Sequence, residues 1–398
     1  MTRKSILILL MFGLIYQAYA NKGNILQTID ETMALSTHQL MGLYKQMAEI
    51  PDRLPRTINA NGKLVTSNAA WWTSGFFPGS LWYLYEYTGN EDIRKAALTM
   101  TERIRKQQFA ANDHDIGFII FCSFGNALRL TGNEEFESVV INGAKSLSTR
   151  FRDNIGVIKS WNNKKWQYPV IIDNMMNLEI LTQATKISGD SSFCKIAISH
   201  ADKTMKYHFR DDASSYHVVS YDTINGGAVE RVTHQGANDE SAWARGQAWG
   251  LYGYVMMYRE TGKKAYLDHA ISIADYIAGH KNLPEDKIPY WDFNAPDLPN
   301  SLRDASAGAI MASAFVELST FTDKKLSKKY YSLGKQMVRS LASPAYLANK
   351  GENGHFVLKH SVGHMGRNSE VDVPLTYADY YFLEAMIRIK RIENVQVK

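Results

Sequence analysis

The sequence predicts an all-α fold, an (α/α)6 barrel of six helical hairpins. One observation behind this is a repeated turn at Gly89, Gly132, Gly189 and Gly262, where one helical pattern ends and another begins. Glycine is the usual residue at the left-handed end of a helix. The other is an alternation: segments rich in small and aromatic residues precede the turns, and helices with one polar face follow them. We therefore expect the first type inside the barrel and the second outside.

The inner helices are predicted in the segments before the turns. They are Gly75 to Tyr87, Gly117 to Leu130, Met175 to Ile187, Gly246 to Tyr258 and Gly308 to Phe321. The outer helices follow at Glu91 to Gln107, Glu134 to Phe151, Ser191 to Tyr207, Lys264 to Ala278 and Lys325 to Ser340. The turn before the last of these, Phe321 to Lys324, lacks glycine. A final inner helix, Tyr377 to Arg391, would pair with the first long helix, Ile25 to Met47, and close the ring. Strand-like alternation is weak and occurs at His217 to Tyr221 and Gly354 to Lys359.

The first twenty residues are expected to lie outside this domain. Arg3 and Lys4 precede an apolar run from Ile6 to Ile15, and Ala18-Tyr19-Ala20 is a small-x-small cleavage site. This pattern predicts a signal peptide at residues 1–20, a single barrel domain at residues 21–398, and export, most simply to the periplasm. A bilayer-spanning helix is not expected, because the apolar run is too short and the rest of the sequence has none longer.

Composition excludes some classes of function. The net charge is +5, and removing Arg3 and Lys4 leaves +3, which is too weak and scattered to indicate nucleic-acid binding. Such a balance is compatible with an anionic substrate. The two cysteines, Cys122 and Cys194, lie in apolar helical segments and are expected to be free thiols. Their spacing does not indicate a metal site, and no cofactor is expected.

The chemically unusual residues lie in the segments that lead into the inner helices. They are Trp72, His114, Asp115, Asp173, His234, Gln235, Trp243, Arg245, Trp249, Trp291 and Asp304. Because these segments enter the inner helices at the same end, they would converge on one mouth of the barrel. Convergence of carboxylates, histidine, arginine and tryptophan in one cleft predicts an active site.

Asp173 and Asp115 are the candidate acid and base. Asp173 lies between an Ile-Ile pair and a Met-Met pair, and apolar neighbours raise the pKa of a carboxyl group. Asp115 occupies the equivalent point of the preceding hairpin, and two close carboxylates do not both ionise cheaply. The pair could therefore hold a proton at neutral pH without a metal. The alternative for each is a helix N-cap.

The other candidates would bind a sugar. Aromatic faces stack on sugar rings, and the tryptophans expected at the mouth are Trp72, Trp161, Trp243, Trp249 and Trp291, although each could instead be a core residue. Arg245 suits bidentate capture of a carboxylate, with an ion pair to Asp239, Glu240 or Asp304 as the alternative. Hydrogen bonds to substrate are expected from His114, His217, His234 and Gln235. A histidine-rich metal centre would need a close-spaced ligand set, which the sequence lacks.

Several motifs together resemble the unsaturated glucuronyl hydrolases of glycoside hydrolase family 88, over nearly the whole chain after residue 20. They are Trp71 to Phe76, His114 to Phe118, Ile172 to Asn177, His234 to Gly236, Ser241 to Trp249 and Tyr377 to Ala385. The resemblance implies an (α/α)6 barrel. It also implies release of a 4,5-unsaturated uronic acid from the non-reducing end of oligosaccharides that polysaccharide lyases produce.

By motif, Asp173 resembles the family's general acid and base, and Asp115 resembles its carboxylate partner. The positions that resemble contacts to the unsaturated sugar are His114, His217, Gln235, Arg245, Trp72 and Trp249, and Trp161 is similar to a stacking platform for the next ring. Family members that accept sulfated chondroitin units carry a Ser-x-x-Ser-x-Lys motif before the last inner helix. This chain has His364 to Ser369 there, so the motif is absent and a role for Arg367 or His364 in binding sulfate stays open.

The expected substrate is an unsaturated oligosaccharide of glycosaminoglycan type, from chondroitin, hyaluronan or heparin. One alternative is an unsaturated rhamnogalacturonyl hydrolase, which performs the same chemistry on pectin fragments. A second alternative, from another class, is a barrel that binds glycans without catalysis. The sequence does not indicate an oligomeric state.

Overall fold

The computed structural model describes residues 24–396, and the predicted signal peptide lies outside this range. In chain order the α-helices are α1 (Ile25–Ala48), α2 (Phe76–Thr88), α3 (Glu91–Glu102), α4 (Asn126–Thr131), α5 (Glu134–Ser148), α6 (Glu179–Ser188), α7 (Ser191–Tyr207), α8 (Ala244–Thr261), α9 (Lys264–Gly279), α10 (Ala305–Leu318), α11 (Lys324–Leu341) and α12 (Thr376–Gln396). The even-numbered helices form the inner ring and the odd-numbered helices the outer one. Helix α12 packs against both α2 and α10, which closes the ring. The (α/α)6 prediction is confirmed.

The predicted turns are present at the C-terminal ends of the inner helices. The φ angles of Gly89, Gly132, Gly189 and Gly262 lie between 63° and 75°, in the left-handed region. The outer helices that follow the first three turns begin at a capping side chain, supplied by Asn90, Asn133 and Asp190. Asp323 caps α11 in the turn that lacks glycine. We call this end of the barrel the turn end and the opposite end the loop end.

The sequence predicted regular α-helix in all the inner segments, but two of them differ from that prediction. Gly117–Gly125 is a π-helix, and Ile172–Asn177 is a 3-10 helix. The two segments contact each other closely: a Cβ on Gly117 would meet the Cα of Asn177 at 2.6 Å, and the Asn177 Oδ1 accepts a hydrogen bond from the backbone N–H of Phe118 at 2.8 Å. This contact places the residues just before and within them, at the loop end, side by side.

Short antiparallel strands cover the loop end. They are β1 (Leu54–Ile58), β2 (Leu64–Ser67), β3 (Phe151–Arg152), β4 (Val157–Ile158), β5 (Pro169–Ile171), β6 (Val218–Tyr221), β7 (Ala228–Val232), β8 (Ser361–His364) and β9 (Ser369–Val373). They form the sheets β1-β2, β3-β4, β5-β6-β7 and β8-β9. The strand expected at His217 to Tyr221 is confirmed as β6. The one expected at Gly354 to Lys359 is wrong, because Gly354 has a left-handed φ of 61° within a short 3-10 turn.

Two other expectations from the sequence can be compared with residues 24–396. Cys122 is buried and Cys194 partly buried, and both are free thiols, as predicted. Within these residues, no helix combines the length and apolar character needed to cross a membrane.

Candidate active site

The loops at the loop end enclose a cavity of about 290 Å³. Eight residues singled out from the sequence line it: Trp72, His114, Asp115, Trp161, Asp173, His234, Gln235 and Arg245. They come from segments that lead into four different inner helices and from the loops between them. The predicted convergence on one mouth is therefore present in the structure.

Asp173 follows strand β5 and lies in the first turn of the 3-10 segment, where it is 8% exposed. The described residues include no side-chain cap for this segment and no hydrogen-bond partner for the Asp173 Oδ2. The N-cap alternative is therefore wrong. Burial raises the pKa of Asp173 to about 6, although the positive charges of Arg245 and His114 act in the opposite direction. Such a carboxyl group can hold a proton near neutral pH.

Asp115 lies beside Asp173 in the same cavity. Its Oδ1 is 3.3 Å from the Nε2 of His114 and accepts a long hydrogen bond of 3.4 Å from the Asn177 side chain. Burial raises the pKa of Asp115 to about 7; His114 opposes this rise, and the negative charges of Asp113 and Asp173 add to it. The described part of the chain shows no helix capped by Asp115. The two carboxyl groups are thus close enough to influence each other's ionisation.

His114 is fully buried between carboxyl groups. Its Nδ1 is 3.0 Å from the carbonyl oxygen of Ser160 and 3.1 Å from the Oδ1 of Asp113. Burial lowers the pKa of His114, but the charges of Asp115 and Asp113 outweigh it and raise the value to about 9. Donor atoms of Asp113, His114 and Asp115 lie within 4.8 Å of one another. Because the ring lies within 3.1 to 3.3 Å of carboxylate oxygens on both sides, we interpret this cluster as ion pairs around a cationic ring.

His217 faces Asp173 from behind the cavity wall. Its Nδ1 accepts hydrogen bonds from the backbone N–H groups of His234 and Gln235, at 3.1 and 3.0 Å. Burial holds the pKa of His217 well below its usual value. The single proton of the neutral ring must therefore be on Nε2, which lies 3.8 Å from the Oδ2 of Asp173. The structure places His217 against the acid; the predicted contact with a sugar is untested.

Arg245 begins α8 and is held by several partners. It forms an ion pair with Asp304 at 3.2 Å, and it donates to the carbonyl oxygens of Val362 and Gly363. Its guanidinium lies between the rings of Trp243 and Tyr377, 4.5 and 5.4 Å from their centroids. An ion pair with Asp304 was the alternative to substrate binding that the sequence offered for Arg245, and this ion pair is present. The group still lines the cavity, so its charge reaches any anionic ligand there.

The expectation of five tryptophans at the mouth holds for two. Trp72 and Trp161 line the cavity and are partly exposed. Trp243 lies behind it, with its ring 4.6 Å from that of His217. Trp249 is fully buried; its indole lowers the pKa of Asp173, although its Nε1 makes no hydrogen bond of normal geometry to any described residue. Trp291 is buried and donates to Ser301.

Two residues that line the cavity, Arg56 of β1 and Glu370 of β9, were not singled out from the sequence. Arg56 forms an ion pair with Glu370 at 2.5 Å and lies 4.0 Å above the Trp71 ring. Arg56 and Glu370 are 314 residues apart in the chain, and no local pattern connects them.

Two residues left open in the sequence analysis, His364 and Arg367, also line the cavity. The His364 ring lies 4.9 Å from that of His234. Neither ring nitrogen of His364 has a hydrogen-bond partner among residues 24–396. Both nitrogens are also buried.

Comparison with known proteins gives consistent results. Residues 45–271 match the family model described as Glycosyl Hydrolase Family 88. An unsaturated glucuronyl hydrolase of Formosa agariphila is 41% identical, over 100% of both chains. An unsaturated chondroitin disaccharide hydrolase of Streptococcus pyogenes is 34% identical, over 81% of this chain and 82% of that one. A crystal structure of an unsaturated glucuronyl hydrolase specific for heparin is 44% identical, with a TM-score of 0.90 over 92% of this chain and 98% of that chain.

Proposed function

The chain belongs to glycoside hydrolase family 88, and from this premise we propose that it releases 4,5-unsaturated uronic acid from the non-reducing end of glycosaminoglycan oligosaccharides. The relatives named above act on glucuronyl, chondroitin and heparin-type substrates. The observation that carries the proposal is Asp173, a buried carboxyl group that lines the cavity, has a raised pKa and has one oxygen without a hydrogen-bond partner among the described residues. A substrate with a C4=C5 double bond needs such a proton donor.

Asp173 supplies the proton in the first step. The 4,5-unsaturated uronate is an enol ether, so protonation at C4 leaves a positive charge shared between C5 and the ring oxygen. A neutral carboxyl group with a pKa of about 6 can give this proton near neutral pH. Asp173 is then a carboxylate.

The same carboxylate completes the reaction. Asp173 takes a proton from a water molecule as its oxygen bonds to C5, which restores the acid and forms a hemiketal. Opening of the hemiketal gives a ketone at C5 and a hemiacetal at C1, and the hemiacetal then releases the second sugar. One water is consumed for each glycosidic bond lost. This sequence differs from that of ordinary glycosidases, in which two carboxyl groups act at the anomeric carbon.

The neighbours of Asp173 set its charge and orientation. Asp115 places negative charge near the developing cation, and its Oδ1 lies 3.3 Å from the Nε2 of His114. The neutral His217 ring lies beside the Asp173 carboxyl group, with its Nε2 3.8 Å from the Oδ2. Arg245, although paired with Asp304, supplies positive charge for the carboxylate of the unsaturated sugar.

The second sugar would lie toward Trp161 and the β8-β9 hairpin. The Trp161 ring is 5.2 Å from the His234 ring and is partly exposed in the cavity, which suits stacking on a sugar face. Gln235 is held by a hydrogen bond to the carbonyl oxygen of Gly363 at 2.8 Å and so faces the same space. His364 and Arg367 could meet a sulfate on this sugar.

We also propose that the protein is exported to the periplasm. The support is the sequence pattern at residues 1–20, a basic start, an apolar core and a small-x-small site. N-terminal sequencing of the protein recovered from a periplasmic fraction would test this proposal. A chain that keeps Met1 and stays in the cytoplasm would contradict it.

The experiment for the reaction follows the ultraviolet absorbance of the conjugated C4=C5 uronate, which hydration removes. Purified protein is given defined disaccharides made by chondroitin, hyaluronan, heparin and pectin lyases, the glycosaminoglycan products with and without sulfate. We expect turnover of at least one glycosaminoglycan product. Activity on the pectin product alone would contradict the substrate class. Binding of a disaccharide without any loss of absorbance would indicate a glycan-binding protein instead.

A further inference from the structure

Asp113 lies next to the proposed catalytic pair. Its Oδ1 accepts a hydrogen bond from the backbone N–H of Asp115 at 3.1 Å and lies 3.1 Å from the Nδ1 of His114. The side chain is 46% exposed at the edge of the cluster. One carboxylate oxygen therefore fixes both the backbone of Asp115 and the ring of His114.

The ring of His114 has acceptors on both sides. Its Nδ1 is close to Asp113 and to the Ser160 carbonyl oxygen, and its Nε2 faces the Asp115 carboxyl group at 3.3 Å. A neutral ring has one proton and could satisfy only one side. A doubly protonated ring carries a proton on each side, and its positive charge lies between Asp113 and Asp115.

We propose that Asp113 is a positioning residue, which acts through His114 by holding the ring doubly protonated and its Nε2–H directed at Asp115. The effect of Asp113 on the reaction rests on the proposed function, whereas its contacts with His114 and Asp115 do not. The consequence is that a positive charge stays beside Asp115 and Asp173, where it favours the ionised form of both carboxyl groups.

Other charged groups surround His114 besides Asp113. The Nη2 of Arg150, which follows α5, donates to the same Ser160 carbonyl oxygen at 3.0 Å and brings positive charge to the Nδ1 side. His200 on α7 interacts electrostatically with His114, and it is neutral because burial lowers its pKa to about 3. On the far side are Asp115 and Asp173. Asp113 is thus the anion that offsets Arg150 on the Nδ1 side.

Removing the Asp113 charge should change the pH values at which His114 and Asp173 lose their protons. In Asp113→Asn, His114 lacks the carboxylate on its Nδ1 side and gives up its second proton at a lower pH. The His114 charge lowers the pKa of Asp173, so losing that charge raises the Asp173 pKa and keeps the acid form to a higher pH. We expect the basic limb of the kcat/KM profile to move up by about 0.5 to 1 on the pH scale, since Asp113 is partly solvated.

The test compares Asp113→Asn with Asp113→Glu and with Asp92→Asn, which removes an exposed carboxylate on α3. The first readout is the pH profile of kcat/KM. The second is the ring ¹⁵N signal of His114, assigned by its absence in His114→Gln. We expect Asp113→Asn to lose the doubly protonated ring below the pH at which the wild type loses it, and Asp113→Glu to restore it in part. Asp92→Asn should behave as the wild type.

The two readouts separate the possible failures. Wild-type His114 titration in Asp113→Asn would overturn the inference, whatever happens to activity. So would a loss of rate that is equal at all pH values, because that result indicates a structural role. If Asp113→Asn fails to fold, the titration of His114 in Asp113→Glu decides. The nitrogen signals need no substrate, so they test the inference even if every disaccharide in the panel is inert.

Discussion

Among the described residues, buried polar side chains are mostly paired at the turn end of the barrel and partly unpaired at the loop end. At the turn end, the Glu384 carboxyl group accepts hydrogen bonds from Tyr83 at 2.7 Å, Tyr252 at 3.0 Å and Ser313 at 2.6 Å. At the loop end, the described residues offer no hydrogen-bond partner to the Oδ2 of Asp173 or to the Nε2 of His217.

The turn end also has paired cations. Arg259 contacts Glu179, Glu260 and Glu317, and Arg388 contacts Glu317 and Glu384. Burial raises the pKa of Glu317, but the charges of Arg388 and Arg259 outweigh it and lower the value. Glu179 is an exception, because burial raises its pKa to about 7 despite Arg259. The turn end therefore resembles a structural ion-pair network.

The proposed active site is not the larger of the two cavities. The cavity at the turn end, about 480 Å³, is larger than the one at the loop end, about 290 Å³. Polar groups at the turn end are mostly satisfied by one another, whereas several at the loop end are not. Unpaired buried groups are costly and tend to persist where a substrate will use them.

The largest expected effect is on turnover at the loop end. Asp173→Asn should lower kcat by about 10² to 10⁴, the usual contribution of a general acid and base, and should leave substrate binding in place. Glu384→Gln, at the turn end, should keep most of its kcat. Initial rates and calorimetric binding of an unsaturated disaccharide measure both. An Asp173→Asn enzyme within tenfold of the wild type would exclude Asp173 as the proton donor.

The next effect is on stability at the turn end. Arg388→Met leaves Glu317 and Glu384 without their shared cation, and breaking such a buried pair costs about 3 to 5 kcal/mol of unfolding free energy. Lys390→Met, on the same helix, removes a more exposed pair with Asp30 and should cost about 0 to 1 kcal/mol. Urea unfolding curves measure both. Equal losses of unfolding free energy in the two variants would show that the buried ion pairs stabilise the fold no more than the exposed one.

The pH dependence of stability should have opposite signs at the two ends. The pKa of Asp173 is about 6 in the folded protein, above its ordinary value of 3.8, so wild-type stability is lost as pH rises through 6. Asp173→Asn avoids this loss and should be more stable than the wild type at pH 8, by up to about 3 kcal/mol, and nearly equal to it at pH 4.

Glu317→Gln should show the reverse trend. The pKa of Glu317 is lowered by folding, so its ionised form stabilises the wild type above its ordinary value of 4.5, and the variant should lose more stability at pH 8 than at pH 4. Denaturant unfolding of both variants at the two pH values measures the signs. Parallel trends for the two variants would show that the ends do not differ in this way.

Much of the fold follows from patterns that lie within one hairpin. The glycine turns, the polar outer faces and the caps at Asn90 and Asn133 are local, and the helices they predict are present. The π and 3-10 segments depend on the contact between Gly117 and Asn177, sixty residues apart in the chain. The strands are two to five residues long, too short for their alternation to be distinguished from helical periodicity.

The candidate site also contains residues that a local pattern predicts and residues that depend on contacts between hairpins. Residues that precede an inner helix, such as Asp115 and Asp173, could be assigned to the mouth because every inner helix starts there. The side-chain direction of Trp243 and the partner of Arg245 depend on neighbours from other hairpins. Arg56 and Glu370 meet only because the two ends of the chain are joined in the ring, and composition offers no sign of it.

The smallest expected effect concerns the glycine turns that define the turn end. Gly132 has a φ of 63°, and a Cβ there would meet no described atom within 4 Å. The cost of Gly132→Ala is therefore conformational, about 1 to 2 kcal/mol of unfolding free energy, with kcat unchanged. Gly279→Ala is the matched control, since Gly279 ends α9 with the same open space but without a positive φ, and helix propensity favours alanine there. Thermal unfolding should show a lower Tm for Gly132→Ala and an equal or higher Tm for Gly279→Ala. Equal Tm values for the two variants would mean that the turn tolerates a side chain and that its glycine is not what ends the inner helix.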